Sequence, residues 1–208
     1  MIADLLPPGV EVTERHGPPV TVPLFADEER AVAQAVPARR AEYAAVRGCA
    51  REALSRLGVT TLAVPSAPNR APVWPQGVVG SMTHCAGYRA AAVARAGAWA
   101  GLGIDAEPRA PLPPEVAALV LDESERAPLA ELDPALCADR VLFSAKESAY
   151  KVWSPITGVW LGFEDVRVHL EDDTFVVRLL KPGLGVDELR GRWAVGDDLL
   201  VTALALPR

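Results

Sequence analysis

Apolar residues recur at helical spacing in several long stretches of the chain. The best-defined stretch is residues 38–57, where one face collects Tyr43, Val46, Ala50, Ala53, Leu54 and Leu57. Gly58 follows where a helix C-cap belongs. Residues 27–35, 113–127 and 134–153 are also predicted to be helical, and we expect the last of these helices to end at Ser154-Pro155.

Strand-like segments stand between and after these helices. Residues 1–23 alternate at Val10 and Val12, and VVGSMTHCAGYRAAAVA predicts a strand, a turn and then a strand or short helix. Residues 65–77 form a Pro-rich loop, and WAGLGIDAEP reads as a buried strand that ends at Pro108. The tail holds four β-rich segments: DVRVHL, TFVVRLL, GRWAVGD and LLVTALAL. Helix followed by strands occurs twice, which predicts an α+β fold with one α+β unit in each half, residues 1–104 and 105–208.

Composition excludes several classes of protein. The net charge of −6 argues against a general nucleic-acid binder, which would need a basic surface. The chain contains no run of about 18 apolar residues, so no membrane span is predicted. The start MIADLLPPGVEV lacks the features of a signal peptide. Cys49, Cys85 and Cys137 lack CxxC spacing, so we interpret them as free thiols of a cytoplasmic protein and expect no zinc site.

Charge is unevenly divided between the two halves. Residues 1–104 hold ten arginines and eight acidic residues, a net charge of +2, whereas residues 105–208 hold eleven basic and nineteen acidic residues, a net charge of −8. We therefore expect the first half to receive anionic groups and the second half to hold a cation.

Two short stretches in the second half carry acidic residues suited to such a cation. In GIDAEP, strand alternation directs Asp105 and Glu107 to the same face, and Mg²⁺ prefers oxygen ligands of this kind. In FSAKESAYK, Glu147 and Lys151 are four apart and share a helix face. The alternatives are a polar strand end that faces solvent and an ordinary surface ion pair.

Two stretches in the first half are suited to phosphate. In GSMTHC, Gly80 permits a tight turn whose N–H groups bind phosphate oxygens, and Ser81, Thr83 and His84 add donors. On the helix at residues 38–57, one edge holds Arg40, Arg47 and Arg51, with Arg39 and Arg56 nearby. The alternatives are a structural histidine and a solvated helix face.

Taken together and in this order, these stretches resemble the 4′-phosphopantetheinyl transferases of the surfactin/enterobactin type, in particular their actinobacterial members. That family shows a basic helix, then GS-x-TH, GID-x-E and FSAKE-x-x-YK, and this chain shows RRAEYAAVRGCAREAL, GSMTHC, GIDAEP and FSAKESAYK. The likeness extends from about residue 25 to the end of the chain. Two departures are Ser148, where many members have Ala, and Arg70, near which similar enzymes often carry a lysine.

The resemblance implies a reaction and a fold. Such an enzyme moves 4′-phosphopantetheine from coenzyme A, its co-substrate, to a serine of an acyl, peptidyl or polyketide carrier domain, and it releases adenosine 3′,5′-bisphosphate. The fold would be a pseudo-twofold pair of α+β halves with the active site in the cleft between them. Because the internal pairing needs no second copy, we expect a monomer. The carriers would serve polyketide and nonribosomal peptide biosynthesis, with fatty acid synthesis as an alternative, and we expect no nucleic-acid or membrane partner.

The resemblance also implies roles for individual residues. Asp105, Glu107 and Glu147 match the family's ligands for Mg²⁺, with Mn²⁺ as an alternative, and Glu147 is the expected base for the serine, directly or through water. Lys151 would act in catalysis and bind the diphosphate. The remaining expected contacts to coenzyme A come from Arg40, Arg47, Arg70, Ser81, His84 and Lys146.

Two other functions use the same residues without transfer. One is a Mg²⁺-dependent phosphohydrolase that acts on nucleotides, which hydrolysis without a carrier protein would favour. The other is a non-catalytic coenzyme A binder, which an absence of any Mg²⁺ effect would favour. If transfer holds, we predict that the carrier docks on PRAPLPPEVAALVLDESER, whose apolar edge would contain Leu112, Val116, Leu119 and Val120.

Overall fold

The computed structural model describes residues 1–60 and 63–208. The α-helices in these residues are α1 (Ile2–Leu5), α2 (Ala26–Ala31), α3 (Pro37–Arg56), α4 (Pro114–Val120), α5 (Glu123–Ala130) and α6 (Ala138–Thr157). The strands are β1 (Val10–His16), β2 (Val78–Cys85), β3 (Tyr88–Arg95), β4 (Trp99–Pro108), β5 (Val166–Glu171), β6 (Thr174–Leu179), β7 (Glu188–Val195) and β8 (Leu199–Pro207). The predicted α+β class is confirmed.

The first half forms a three-stranded antiparallel sheet in the order β1-β3-β2. Helix α3 packs on this sheet, and its buried residues Cys49, Ala50 and Leu54 share a core cluster with Ala91 and Val93 of β3. Because β3 pairs on both edges, its alanine-rich sequence is a central strand rather than a short helix. The helix ends as predicted, with Gly58 in the left-handed region at φ 72°.

The second half forms a five-stranded antiparallel sheet in the order β4-β8-β7-β6-β5. Helix α6 covers one face of it, and the largest core cluster lies between them, with Trp153, Phe175 and Leu204 almost fully buried. Each half therefore carries one 20-residue helix on an antiparallel sheet, in agreement with the predicted pair of α+β halves.

The two sheets meet edge to edge at β2 and β4, through side chains. The hydroxyl oxygen of Ser81 accepts a hydrogen bond from the amide of Ile104 at 3.1 Å, and that of Thr83 accepts one from the amide of Ala106 at 3.1 Å. These amides point away from β8 and would otherwise lack partners at the edge of the five-stranded sheet. The GSMTHC stretch thus joins the halves.

Helix α6 lies along β4 in regular steps. Gly103 faces Ser148, Asp105 contacts Ser144, and Glu107 contacts Arg140. Two strand residues advance about 6.6 Å and four helix residues about 6 Å, so the two repeats stay in register over this length. A Cβ atom at Gly103 would lie 2.0 Å from the carbonyl oxygen of Ser148, which shows how closely the helix approaches the strand.

Several predicted boundaries are wrong. The segment 113–127 is two helices, α4 and α5, because Asp122 caps α5 and forms a capping box with Glu125. Helix α6 does not end at Ser154-Pro155 but reaches Thr157 and Gly158, because a proline in the last turn removes only one backbone hydrogen bond. The sequence also missed α1, and α2 is shorter than the predicted 27–35.

The predicted boundary between the halves, at residues 104 and 105, falls inside strand β4. The division of the chain into two domains at this position stays a prediction.

Among the helices in the described parts of the chain, none is long and apolar enough to cross a membrane.

Candidate active site

A cleft of about 520 Å³ lies between the two halves. One side is formed by α3, by residues 68–72 and by β2, and the other by α6 and Trp160. Its polar and aromatic lining includes Arg39, Tyr43, Arg47, Arg70, Ser81, His84, Glu147, Tyr150, Lys151 and Trp160. This volume is typical of a small-ligand site, and the cleft lies between the halves, as the family resemblance implied.

Asp105 is the most deeply buried of the predicted metal-ligating carboxylates, with 5% of its surface exposed. Its Oδ1 accepts hydrogen bonds from Lys151 at 2.7 Å and from Thr83 at 3.2 Å, and its Oδ2 accepts one from Ser144 at 2.8 Å. A carboxylate offers about four acceptor positions, so one remains for a further ligand. Burial of this charge is thus compensated by three donors from two elements, Ser144 and Lys151 on α6 and Thr83 on β2.

Glu107 and Glu147 lie close enough to Asp105 to be affected by its charge. Burial, followed by the charge of Asp105, raises the pKa of both side chains. Arg140, whose Nη1 is 2.9 Å from Glu107, opposes this rise in the pKa of Glu107, and Lys151 opposes it at Glu147. The sequence was right that Asp105 and Glu107 share a face, since both point to α6.

Lys151 lies at the centre of the site. Its amine donates to Asp105 and, at 2.9 Å, to the carbonyl oxygen of Ile104, and the side chain lines the cleft. The surface ion pair with Glu147 that helical spacing allowed is replaced by this bond to Asp105. Lys151 therefore brings positive charge to the point where the carboxylates meet the cleft.

His84 and Arg39 lie on the opposite wall. Since a guanidinium only donates, Nε2 of His84 accepts a hydrogen bond from Arg39, at 2.8 Å. Burial and the charge of Arg39 lower the pKa of His84, so the ring is neutral at neutral pH. Ser81 also lines this wall, although its hydroxyl oxygen already accepts the amide of Ile104.

The predicted arginines divide into two groups. Arg47 lies in the cleft wall, 5% exposed, over the ring of Tyr43, and donates to the carbonyl oxygen of Val64 and to Ser66. Burial lowers the pKa of Arg47 to about 10, which still leaves it protonated at neutral pH. Arg70 lines the cleft in the left-handed region at φ 68°, and its side chain has no hydrogen-bond or ion-pair partner within residues 1–60 and 63–208.

The structure does not bring the other predicted cations to the cleft. Arg40 forms an ion pair with Glu29 at 2.7 Å, and Arg51 pairs with the fully buried Glu28. Lys146 is 2% exposed and donates to Glu125 at 2.8 Å, to the carbonyl oxygen of Val120 at 2.7 Å and to that of Phe163 at 3.3 Å. Its amine ties α6 to α4 and α5, and nothing in its placement supports a phosphate contact.

Sequence reasoning assigned no role to Arg140, Ser144 or Thr202. Arg140 lies two helical turns before Glu147, so helical spacing alone would have placed it on the same side. Ser144 belongs to FSAKE, and Thr202 is a lone polar residue within the apolar run LLVTALAL. This isolated polar position in an otherwise apolar strand is the sequence feature that could have identified Thr202 as a functional residue.

The donor chemistry of the three carboxylates fits a hard divalent cation. Mg²⁺ takes oxygen ligands, and a cation would offset both the burial and the repulsion from Asp105 that raise the pKa of Glu107 and Glu147. In the portions of the chain that the structure describes, no group of three or more His, Cys, Asp or Glu side chains is already arranged to hold a metal ion. Lys151 and Arg140 instead neutralise Asp105 and Glu107.

Comparison with known proteins places this chain in a family. Residues 27–94 match the model of the 4′-phosphopantetheinyl transferase N-terminal domain, and residues 101–202 match that of the 4′-phosphopantetheinyl transferase superfamily. The chain is 50% identical to 4′-phosphopantetheinyl transferase Svp of Streptomyces mobaraensis over 99% of its own length and 89% of that protein.

The chain belongs to the 4′-phosphopantetheinyl transferase family. It is also 42% identical to the transferase Npt of Nocardia iowensis, over 99% of each chain. It is 44% identical to the transferase PptT of Mycobacterium tuberculosis, over 91% of this chain and 88% of that protein. The resemblance predicted from the four stretches is thereby confirmed, and the protein is an enzyme of this family.

Proposed function

We propose that this enzyme transfers 4′-phosphopantetheine from coenzyme A to a serine hydroxyl of an apo acyl, peptidyl or polyketide carrier domain, with Mg²⁺, and releases adenosine 3′,5′-bisphosphate. The observation that carries the proposal is the division of charge across the cleft. Arg39, Arg47 and Arg70 line one wall, and Lys151 lies at the other beside Asp105 and Glu147. A ligand with phosphates at both ends of its nucleotide part fits this arrangement.

The arginine wall would bind the 3′-phosphate of coenzyme A. Arg70 is the strongest candidate, because its side chain is exposed, lines the cleft and is free of partners among the described residues. Arg47 is held by Val64, Ser66 and Tyr43, so it is rigid, and a rigid guanidinium loses little conformational freedom when it binds phosphate. The contact of Arg40 with phosphate stays a prediction.

The diphosphate would lie where Lys151, His84 and Ser81 converge on the cleft. Lys151 supplies a positive charge that is held by Asp105 and the carbonyl oxygen of Ile104, and Asp105, Glu107 and Glu147 would hold the divalent cation. That cation, when bound, neutralises the negative charge of the diphosphate and of the leaving phosphate. Arg140 contributes a further positive charge next to Glu107.

Glu147 is the residue that we expect to take the serine proton. Its carboxylate lines the cleft, where it would take the proton directly or through a water molecule. The serine oxygen forms a bond to the phosphorus that carries pantetheine, and the bond from that phosphorus to the bridging diphosphate oxygen breaks. The proton goes to Glu147, and the leaving phosphate departs as part of adenosine 3′,5′-bisphosphate.

The test is to incubate the enzyme with coenzyme A, Mg²⁺ and a panel of apo carrier proteins and to measure the intact mass of each carrier. We expect the mass of phosphopantetheine to be added to at least one carrier, and Asp105→Ala to abolish this addition while the variant remains folded by circular dichroism. Release of adenosine 3′,5′-bisphosphate without any carrier protein would instead support the phosphohydrolase. Cytoplasmic location and a monomeric state stay predictions.

A further inference from the structure

Three buried hydroxyl groups lie in a row that ends on Asp105. The hydroxyl of Ser144 is 2.8 Å from Oδ2 of Asp105 and 2.9 Å from the hydroxyl of Thr202, which is 2.7 Å from that of Ser148. Ser144 and Ser148 belong to α6 and Thr202 to β8, and all three residues have 0% exposure. This row of hydroxyl groups therefore runs from Asp105 on β4 to Ser148 on α6, inside the second half.

The direction of these hydrogen bonds follows from the number of protons. A carboxylate only accepts, so the single hydroxyl proton of Ser144 goes to Asp105. The 2.9 Å contact between Ser144 and Thr202 is then a hydrogen bond only with Thr202 as the donor, although its single proton has two other acceptors within reach, the carbonyl oxygen of Ser144 at 3.0 Å and the hydroxyl oxygen of Ser148 at 2.7 Å. When Thr202 donates to the hydroxyl of Ser144, both donors are aligned toward the carboxylate, and hydrogen bonds in such a chain strengthen one another.

Packing alone gives no reason for hydroxyls at these places. The neighbours of Ser144 and Thr202 along α6 and β8, namely Ala145, Val201 and Ala203, are apolar and buried. A buried hydroxyl is costly unless it is hydrogen-bonded, and here the partners of Ser144 and Thr202 are each other, Ser148 and Asp105. What the hydroxyls do is occupy one acceptor position of Oδ2, while Oδ1 accepts from Lys151 and Thr83, so the open position of Asp105 lies on Oδ2 beside Ser144.

We propose that Thr202 and Ser144 are positioning residues that orient the carboxylate of Asp105 for the divalent cation. The inference rests on the proposed function, because it needs Asp105 to be a metal ligand. Partners that orient a metal ligand typically change metal affinity 10–100-fold when they are lost. Thr202 lies nearly a hundred residues beyond Asp105 in sequence, and only the pairing of β8 with β4, where Asp105 faces Thr202, brings it to the site.

The experiment measures Mn²⁺ binding by electron paramagnetic resonance, together with transfer to a carrier protein, for the full chain and four variants. In Thr202→Val we expect Mn²⁺ binding to weaken about tenfold or more, and Ser144→Ala should do the same from the helix side. Thr202→Ser restores the hydroxyl and should bind Mn²⁺ within about threefold of the natural chain. Ser148→Ala, which removes the hydroxyl farthest from Asp105, is the matched control with the same expected limit.

The outcomes separate this inference from the proposed function. If the natural chain modifies a carrier with Mg²⁺ but Thr202→Val and Ser144→Ala bind Mn²⁺ normally and lose only thermal stability, the two residues are packing residues and the inference is wrong. If Thr202→Ser is as impaired as Thr202→Val, the hydroxyl is not the group that matters. If the natural chain neither binds Mn²⁺ nor modifies any carrier, the proposed function fails and the inference fails with it.

Discussion

The close approach of α6 to β4 makes Gly103 a sensitive point. In Gly103→Ala, the new methyl group would lie 2.0 Å from the carbonyl oxygen of Ser148 and 3.1 Å from Cγ2 of Val152. Since the obstructing atom belongs to the helix backbone, no side-chain rotation relieves the contact. We expect this substitution to push α6 away from β4 and to disturb the site that the two elements form.

The magnitude follows from the distances. Real Cβ contacts essentially never fall below 3.0 Å, so strand and helix must separate by about 1 Å. Overpacking of a core typically costs about 1–3 kcal/mol, and a backbone contact that cannot rotate away belongs at the upper end of that range. A loss of about 3 kcal/mol lowers the melting temperature of a chain of this size by roughly 6–12 °C. A shift of about 1 Å between Lys151 and Asp105 should also reduce turnover about a hundredfold.

Thermal unfolding and carrier modification followed by intact mass test both parts of this prediction. Gly97→Ala is the matched control, because a Cβ atom at Gly97 meets nothing within 4 Å and its backbone is not in the left-handed region. We expect this control to differ from the natural chain by no more than about 0.5 kcal/mol. If Gly103→Ala had the same melting temperature and turnover as Gly97→Ala, helix α6 would not lie against β4 as described. The placement of Lys151 next to Asp105 would then also be wrong.

Three further predictions follow from the placement of single side chains. Arg70→Ala should weaken the binding of coenzyme A roughly tenfold or more without lowering the melting temperature. Arg47→Ala should lower both the affinity for coenzyme A and the melting temperature, because Arg47 also supports the cleft wall. Calorimetry and thermal unfolding of both variants would distinguish them, and equal melting temperatures would contradict the assignment. Leu119 is 78% exposed, so Leu119→Asp should raise the KM for carrier protein and leave coenzyme A affinity unchanged; a joint change in both constants with a lower melting temperature would remove this surface from consideration. The pKa of Glu147 is raised in the folded state, so the folded protein binds this proton more tightly than the unfolded chain, and the free energy of unfolding falls as pH rises through the folded pKa. In metal-free protein, Glu147→Gln should therefore gain more stability over the natural chain at about pH 7 than at about pH 5, and urea unfolding that gave the same difference at both values would refute this reading.

Local patterns determined most of the elements. The apolar spacing of residues 38–57 and the glycine after it were enough to place α3, and the four β-rich segments of the tail placed β5 to β8. The carboxylates of GIDAEP were assigned to one face correctly, because strand alternation depends only on position along the chain. Where local signs conflicted, as at Pro155, sequence reasoning placed the boundary too early.

Pairing and burial decided the rest, because they depend on residues distant in sequence. Arg40, Arg47 and Arg51 follow one another on the same helix, yet Glu29, Ser66 and Glu28 give them three different surroundings. The predicted docking segment divides in the same way, with Leu112 and Val120 buried in the core and Leu119 exposed.

The motif residues themselves also received their functions from the tertiary structure. Lys146 and Lys151 are five residues apart in one motif. Lys146 forms an ion pair with Glu125 inside the core, whereas Lys151 forms an ion pair with Asp105 at the cleft. Motif spacing fixes which residues are available, whereas the partner that each charge meets depends on how the two sheets and α6 pack. The sequence thus determined the family and the chemical groups, and only the fold determined which of them face the cleft.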